Sequence, residues 1–169
     1  LYVRIDRKRK FLGSIFLRSL GLKTDEEILR RFYKGETLRI QDKKLLLEVS
    51  EGLIGIKLSH HILHPRSKEE IVHAGRKITH SLYDAIQKPH VTAVEVTAHD
   101  LEGACLLADA IDTKTGEVIA EANKELSAEL LSRMQEAEMA QAHIFFPERE
   151  DVGIVLSQTI RKDSLKTQE

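Results

Sequence analysis

The feature that most limits the folds open to this chain is a change of hydrophobic period near Gly35. Upstream, the spacing is helical. Thr24 followed three residues later by Glu27 has the pattern of a capping box, and Ile28, Leu29 and Phe32 give one apolar face, predicting a helix that ends near Gly35. Before it, Ser14 can cap a short helix through Leu20, with Gly21 placed to end it, and residues 2–5 alternate as a strand does. Downstream, the pattern breaks into short strands and isolated helices. Residues 37–41 and 44–49 flank Asp42 and Lys43 and predict a hairpin, whereas 50–75 lack a clean period and Pro65 marks a loop. Helical spacing over 78–86 places Ile78, Leu82, Tyr83 and Ile86 on one face, and β-branched residues make 91–96 a strand. Strands are expected at 104–110 and 118–122 across the turn 112–116. An amphipathic helix is expected at 127–139, with Leu126, Leu130, Leu131 and Met134 as its core face, and a last strand at 142–146 before Pro147. The fold class is α+β.

Composition narrows the setting. With 169 residues, 41% hydrophobic and 31% charged, the chain suits one ordinary domain or two small ones with a real core. No window approaches the roughly 18 to 20 apolar residues of a membrane span, and the start lacks a signal-peptide pattern. The single cysteine, Cys105, forms no internal disulfide, so a cytoplasmic protein is expected. The chain opens on Leu1, Tyr2 and Val3 without an initiator Met, and it closes on Thr167, Gln168 and Glu169, so an excised piece of a longer protein is expected. Net charge is only −1, yet residues 1–33 carry nine Lys and Arg against four Asp and Glu. Residues 34–150 carry fourteen against twenty, and 151–169 three against three. A basic first segment joined to an acidic middle suggests that the first faces a polyanion, although solvation of an ordinary surface accounts for the same charges.

Arg4, Arg7, Lys8, Arg9 and Lys10 place five cations within seven residues, a cluster suited to phosphates through counterion release. Asp6 interrupts them. Other constellations have plainer readings. His60, His61 and His64 with Glu69 contain metal-ligand types, but their spacing fits no closed motif and a solvated loop is expected. Cys105 lies in an apolar run and reads as a small buried hydrophobe. Asp109 and Asp112 flank a turn, where capping is expected rather than Mg²⁺ binding. Gly103, Gly116 and Gly153 form no phosphate-cradling pattern, and no catalytic residue and no metal site is expected.

Several segments resemble, in order, the bacterial DNA-directed RNA polymerase β-subunit family. Residues 2–10 (YVRIDRKRK) and 24–29 (TDEEIL) look like part of that subunit's lobe, and 157–163 (SQTIRKD) is similar to the point where the chain re-enters it. Residues 75–79 (GRKIT), 109–117 (DAIDTKTGE) and 122–127 (ANKELS) resemble the lineage-specific lobe insertion of many Gram-negative bacteria. The resemblance implies a partial helical lobe segment interrupted by a small mixed α+β insertion domain. Residues 1–33 would form the first lobe segment, 34–150 the insertion and 151–169 the return. It further implies a non-catalytic fragment of a nucleotidyltransferase, cytoplasmic and nucleoid-associated, whose lobe helps hold downstream DNA and the transcription bubble while the insertion serves as an accessory, regulator-docking surface. Partners would be the α, β′, ω and σ subunits, DNA and regulators, with no membrane. No cofactor is expected in the fragment, the parent's Mg²⁺ being held by β′. Nucleic-acid-binding residues would be Arg4, Asp6, Arg7, Lys8, Arg9 and Lys10. Asp6 would accept hydrogen bonds from a base edge or hold a neighbouring arginine, while an ion pair with Arg7 or Arg9 on the lobe surface remains the plain alternative. A free-standing nucleic-acid-binding or protein-interaction module is the other functional class, separable by a salt-dependent DNA titration. A small enzyme is a third, addressed by a substrate screen.

Overall fold

A computed structural model describes residues 1–165. The last four residues of the expected return segment, 166–169, lie outside the described residues. The chain opens with a hairpin of β1 (Tyr2–Arg4) and β2 (Lys10–Leu12), followed by helices α1 (Gly13–Ser19) and α2 (Asp25–Phe32). Strand β2 was not anticipated: its residues show no alternation of their own, and only pairing with β1 makes them a strand. That pairing also displaces the expected Ser14 cap. The chain leaves β2 directly into α1, so Leu12 occupies the cap position, the Gly13 N–H donates to Leu1 O at 3.0 Å, and Ser14 lies buried within the helix. Gly21 takes φ +106° beyond the helix end, a conformation that favours glycine.

The capping box of α2 forms as its pattern predicts, with the Thr24 hydroxyl accepting from Glu27 N–H and the Glu27 carboxylate from Thr24 N–H. Its apolar face is rotated from the expected one. Ile28 and Leu29 are buried, but Phe32 is exposed, and Tyr33, where the backbone turns extended, goes inside in its place.

The body of the molecule is a five-stranded antiparallel sheet. It comprises β3 (Glu36–Gln41), β4 (Lys44–Glu48), β7 (Ala93–Val96), β8 (Cys105–Leu106) and β11 (Gln141–Phe145), in the order β7-β4-β3-β11-β8. The β3–β4 hairpin turns on Asp42 and Lys43, both at positive φ, which matches the right-handed twist of the strands it joins. Two small hairpins, β5 (Ile62–Leu63) with β6 (Glu70–Val72) and β9 (Ala110–Ile111) with β10 (Val118–Ala120), decorate the sheet. The span 50–75 is therefore more than a loop. The expected strand at 104–110 is two strands in different sheets, because β8 pairs with β11 while β9 pairs with β10. Helices α3 (His80–Gln87) and α4 (Ala128–Glu136) start on the hydroxyl caps Thr79 and Ser127. Ile78 thus precedes α3 rather than lying on it, though it is buried as expected. Helix α5 (Val155–Arg161) completes the described chain.

Alternate residues of a strand face opposite sides of its sheet, and here each side has its own core. On one side Leu38, Leu45, Leu47, Val94, Val96, Leu106 and Ile144 pack with Tyr83 and Ile86 of α3 and Leu130, Leu131 and Met134 of α4. On the other, at the β11–β8 end only, Cys105, Leu107 and Phe145 pack with Ile28, Leu29 and Tyr33 from around α2 and Leu156 and Ile160 of α5. The rest of that second face carries exposed ion pairs, Arg39 with Glu48 and Lys44 with Glu95. Each fully buried aliphatic side chain contributes ~1.5–3 kcal/mol, so both clusters are substantial.

One polar residue is set into the first core face. Glu36 pairs with Ile144 across the sheet, its Oε2 is buried without a hydrogen-bond partner, and burial raises its carboxyl above the ordinary range despite nearby Arg149. An acid whose folded pKa exceeds its unfolded value binds protons more tightly when folded. Stability therefore falls as pH rises from the unfolded value of about 4.3 through the folded one. Glu36→Gln is accordingly expected to raise the thermal midpoint at pH 7, by ~2–4 °C for each kcal/mol recovered, and to give no advantage at pH 4; scanning calorimetry at both pH values checks this.

Candidate nucleic-acid interface

All six residues singled out at the N-terminus lie on the β1–β2 hairpin and are exposed. The register pairs Arg4 directly with Lys10. Like charges directly opposite each other destabilise a sheet, and an anion lying over both would relieve that repulsion. Lys10 Nζ also sits 4.9 Å from the centre of the Tyr2 ring, the cross-strand diagonal on the same face. Arg7, Lys8 and Arg9 lie in the hairpin loop, residues 5–9.

Asp6 organises that loop. Its Oδ1 accepts the N–H groups of Lys8 and Arg9, each at 2.8 Å, and its Oδ2 accepts Arg9 Nε at 3.1 Å. These bonds, the Lys8 N–H first, hold the carboxyl below its ordinary range, so it stays ionised at neutral pH. Of the ion-pair partners weighed for Asp6, Arg9 is the one bonded. Arg7 and Lys8 project from a loop whose shape is fixed by an acid rather than by packing.

Behind the hairpin lies a buried residue that sequence reasoning passed over. Arg18 of α1 donates through Nη1 to Lys23 O at 2.8 Å and through Nε to Asp163 at 3.4 Å, and pairs with Asp25 at the start of α2. Arg18 is 4% exposed, as is Asp163. The guanidinium therefore ties together α1, α2 and the segment after α5. A polar latch secures α5 from its other end: Tyr33 Oη donates to Gly153 O and accepts Ser157 N–H, and Asn123, at φ +66°, donates to Ser157 O.

The remaining candidates are dispersed. Asp112 caps its turn by accepting Lys114 N–H at 2.8 Å, and Asp109 accepts Ala122 N–H at 2.7 Å, so both carboxylates bond the backbone. Cys105 is 2% exposed, its thiol is pushed up chiefly by burial, and Arg161 donates to Sγ at 3.2 Å. His64 Nδ1 accepts Arg66 and Ser67 N–H and closes the β5–β6 turn. His61 instead meets Glu70 and His73. No helix among the described residues is long and apolar enough to cross a membrane.

The arrangement is that of a mixed α+β segment with an exposed basic hairpin and an acidic body. Comparison with known proteins identifies its relatives. The chain is 55% identical over 168 residues to the DNA-directed RNA polymerase subunit beta of Solibacter usitatus (strain Ellin6076). It is 53% identical over 173 aligned residues to that of Koribacter versatilis (strain Ellin345), and each match covers 99% of this chain. The chain spans about 12% of the length of these relatives. No family model matches it. Over essentially its whole length, then, this chain corresponds to a segment of the bacterial RNA polymerase β subunit.

Proposed function

We propose that this segment is a non-catalytic part of a DNA-templated RNA polymerase, with the β1–β2 hairpin facing nucleic acid and the acidic body carried as an accessory surface. The observation that supports this most is the exposed loop of Arg7, Lys8 and Arg9 beside the facing Arg4 and Lys10, all on one hairpin. Phosphate contacts position a polymerase on DNA without reading sequence, and they need flexible cations held near the backbone rather than a deep pocket. Asp6 holds Arg9 and the loop amides in place, leaving Arg7 and Lys8 as the principal groups for phosphate. In this reading nucleotide transfer and its Mg²⁺ belong to parts of the enzyme outside this chain, with the α, β′, ω and σ subunits as its assembly partners in the cytoplasm.

Residues 1–33 and 151–169 act as lobe and 34–150 as insertion, docking regulators of mixed charge. A cleft of about 790 Å³ where α4 and the 119–125 segment of the insertion meet α5 of the return segment, lined by Glu125 and Glu129 as well as Lys124, Arg133 and Arg161, supports docking at that junction. In the assembled enzyme, replacing Arg7, Lys8 and Arg9 by alanine is expected to weaken the promoter open complex. The plot of log affinity against log salt concentration should become shallower by about 0.9 for each phosphate that the variant no longer neutralises. An unchanged slope, measured by filter binding across a salt series, would remove the DNA-facing assignment.

A further inference from the structure

The β5–β6 hairpin brings together three side chains that are far from a motif in sequence. Pairing of Ile62 with Val72 places His61, just before β5, across from His73, just after β6. Glu70 lies three residues before His73 and would face the opposite side of a regular strand. The register shift between the Ile62–Val72 and Leu63–Glu70 pairs inserts Ile71 as an extra residue, and a bulge of this kind turns two successive residues to one side. Ile71 and Val72 both pack on the core, which returns Glu70 to the outer face with the two histidines.

There the Nδ1 atoms of both imidazoles converge on a single oxygen, Oε1 of Glu70: His73 at 2.7 Å, and His61 in direct contact. The rings stand at 75° with centroids 6.2 Å apart, and the three ligand atoms lie within 4.8 Å of one another. The Ala74 N–H also points at His61 Nδ1, at 3.4 Å, so a backbone donor lies on that nitrogen as well as the carboxylate. Two imidazole nitrogens gathered on one carboxylate oxygen are held together by a shared cation, either a proton or a metal ion. Among the described residues these three are the one group of histidine, cysteine and acid so gathered.

We propose that His61, Glu70 and His73 form an open site for a divalent late first-row transition ion, Zn²⁺ being the representative. Two neutral imidazoles and one carboxylate supply three of four tetrahedral positions, with nitrogen and oxygen ligands at roughly 2.0–2.2 Å, and leave the fourth to water or to a partner's side chain. Ca²⁺ and Mg²⁺, which take oxygen ligands, are disfavoured by the imidazoles. Because His61 and His73 bracket both strands, a bound ion clips the hairpin shut at its open end, opposite the turn that His64 closes.

The test is calorimetric titration of the full, chelator-treated chain with ZnCl₂, alongside Co²⁺ titration followed by visible absorption. The expected result is one ion per chain, a cobalt spectrum of low coordination number, and at least tenfold weaker binding in His61→Ala, His73→Ala and Glu70→Gln. These side chains are exposed, so the variants should keep the circular dichroism of the parent chain. His60→Ala, which alters a neighbouring imidazole outside the triad, should keep the binding. No uptake by the parent chain overturns the site and leaves a proton-bridged His–Glu–His cluster. Binding that survives loss of His61 and His73, or disappears with His60, overturns it equally.

Discussion

Phe145→Ala is expected to lower stability by about 3–5 kcal/mol, the range for removing a fully buried aromatic ring. Phe145 has no solvent exposure, and its ring lies 4.5 Å from that of Tyr33, tilted by 33°. Its position explains why the loss should be felt beyond one residue. Ile144 and Phe145 are consecutive in β11 and point to opposite faces, the first into the core beneath α3 and α4, the second into the core shared with α2 and α5. Phe145 is thus a principal apolar link between the sheet and the helices contributed by both ends of the described chain. Chemical denaturation should report the loss in free energy, and amide hydrogen exchange should locate it. Protection should fall through α2 and α5 while α3, packed on the other face, keeps its own. Equal loss of protection in α3 would mean that the two cores unfold as one unit.

The second large effect is expected at Arg18. Its replacement by alanine leaves Asp163, and the largely buried Asp25, without the guanidinium that neutralises them. Breaking a buried pair from one side costs about 3–5 kcal/mol, mostly because a charge remains stranded, whereas removing all the charges together is often close to neutral. The triple variant Arg18→Ala, Asp25→Asn, Asp163→Asn should therefore recover a good part of what the single variant loses. Urea unfolding of the two variants tests this directly. If the triple variant is no more stable than the single one, then packing of the Arg18 stem, rather than charge, is what the site contributes.

How far the sequence could be read depended on whether the signal was local. The capping box at Thr24 and Glu27, the hydroxyl start of α4 at Ser127 and the Asp42–Lys43 turn each concern residues within four positions of one another, and each formed as its chemistry required. What escaped depended on partners distant in the chain. Strand β2 exists through its pairing with β1, and the 104–110 segment divides because its two halves meet β11 and β10 respectively. In the sequence Arg18 stands between Leu17 and Ser19 with nothing local to mark it. Its burial became intelligible only with Asp163, 145 residues away.

The candidate interface was legible in the same partial way. The cluster of cations was visible at once, but not the hairpin that sets Arg4 against Lys10, nor the three hydrogen bonds by which Asp6 fixes the loop. Among the histidines, His61 was read with His60, His64 and Glu69 as part of a solvated loop, and only the β5–β6 register and its extra residue bring Glu70 and His73 to it.

The basic hairpin is proposed to lie against DNA while the acidic body does not. The most direct test is site-specific photocrosslinking in the assembled polymerase on a promoter, with a benzoylphenylalanine placed at Lys8 and, separately, at the exposed Glu102 of the body. Crosslinks to DNA from position 8 that fade as salt is raised, and none from position 102, are the predicted result. Absence of DNA crosslinks from position 8 in a complex that still makes RNA would contradict it.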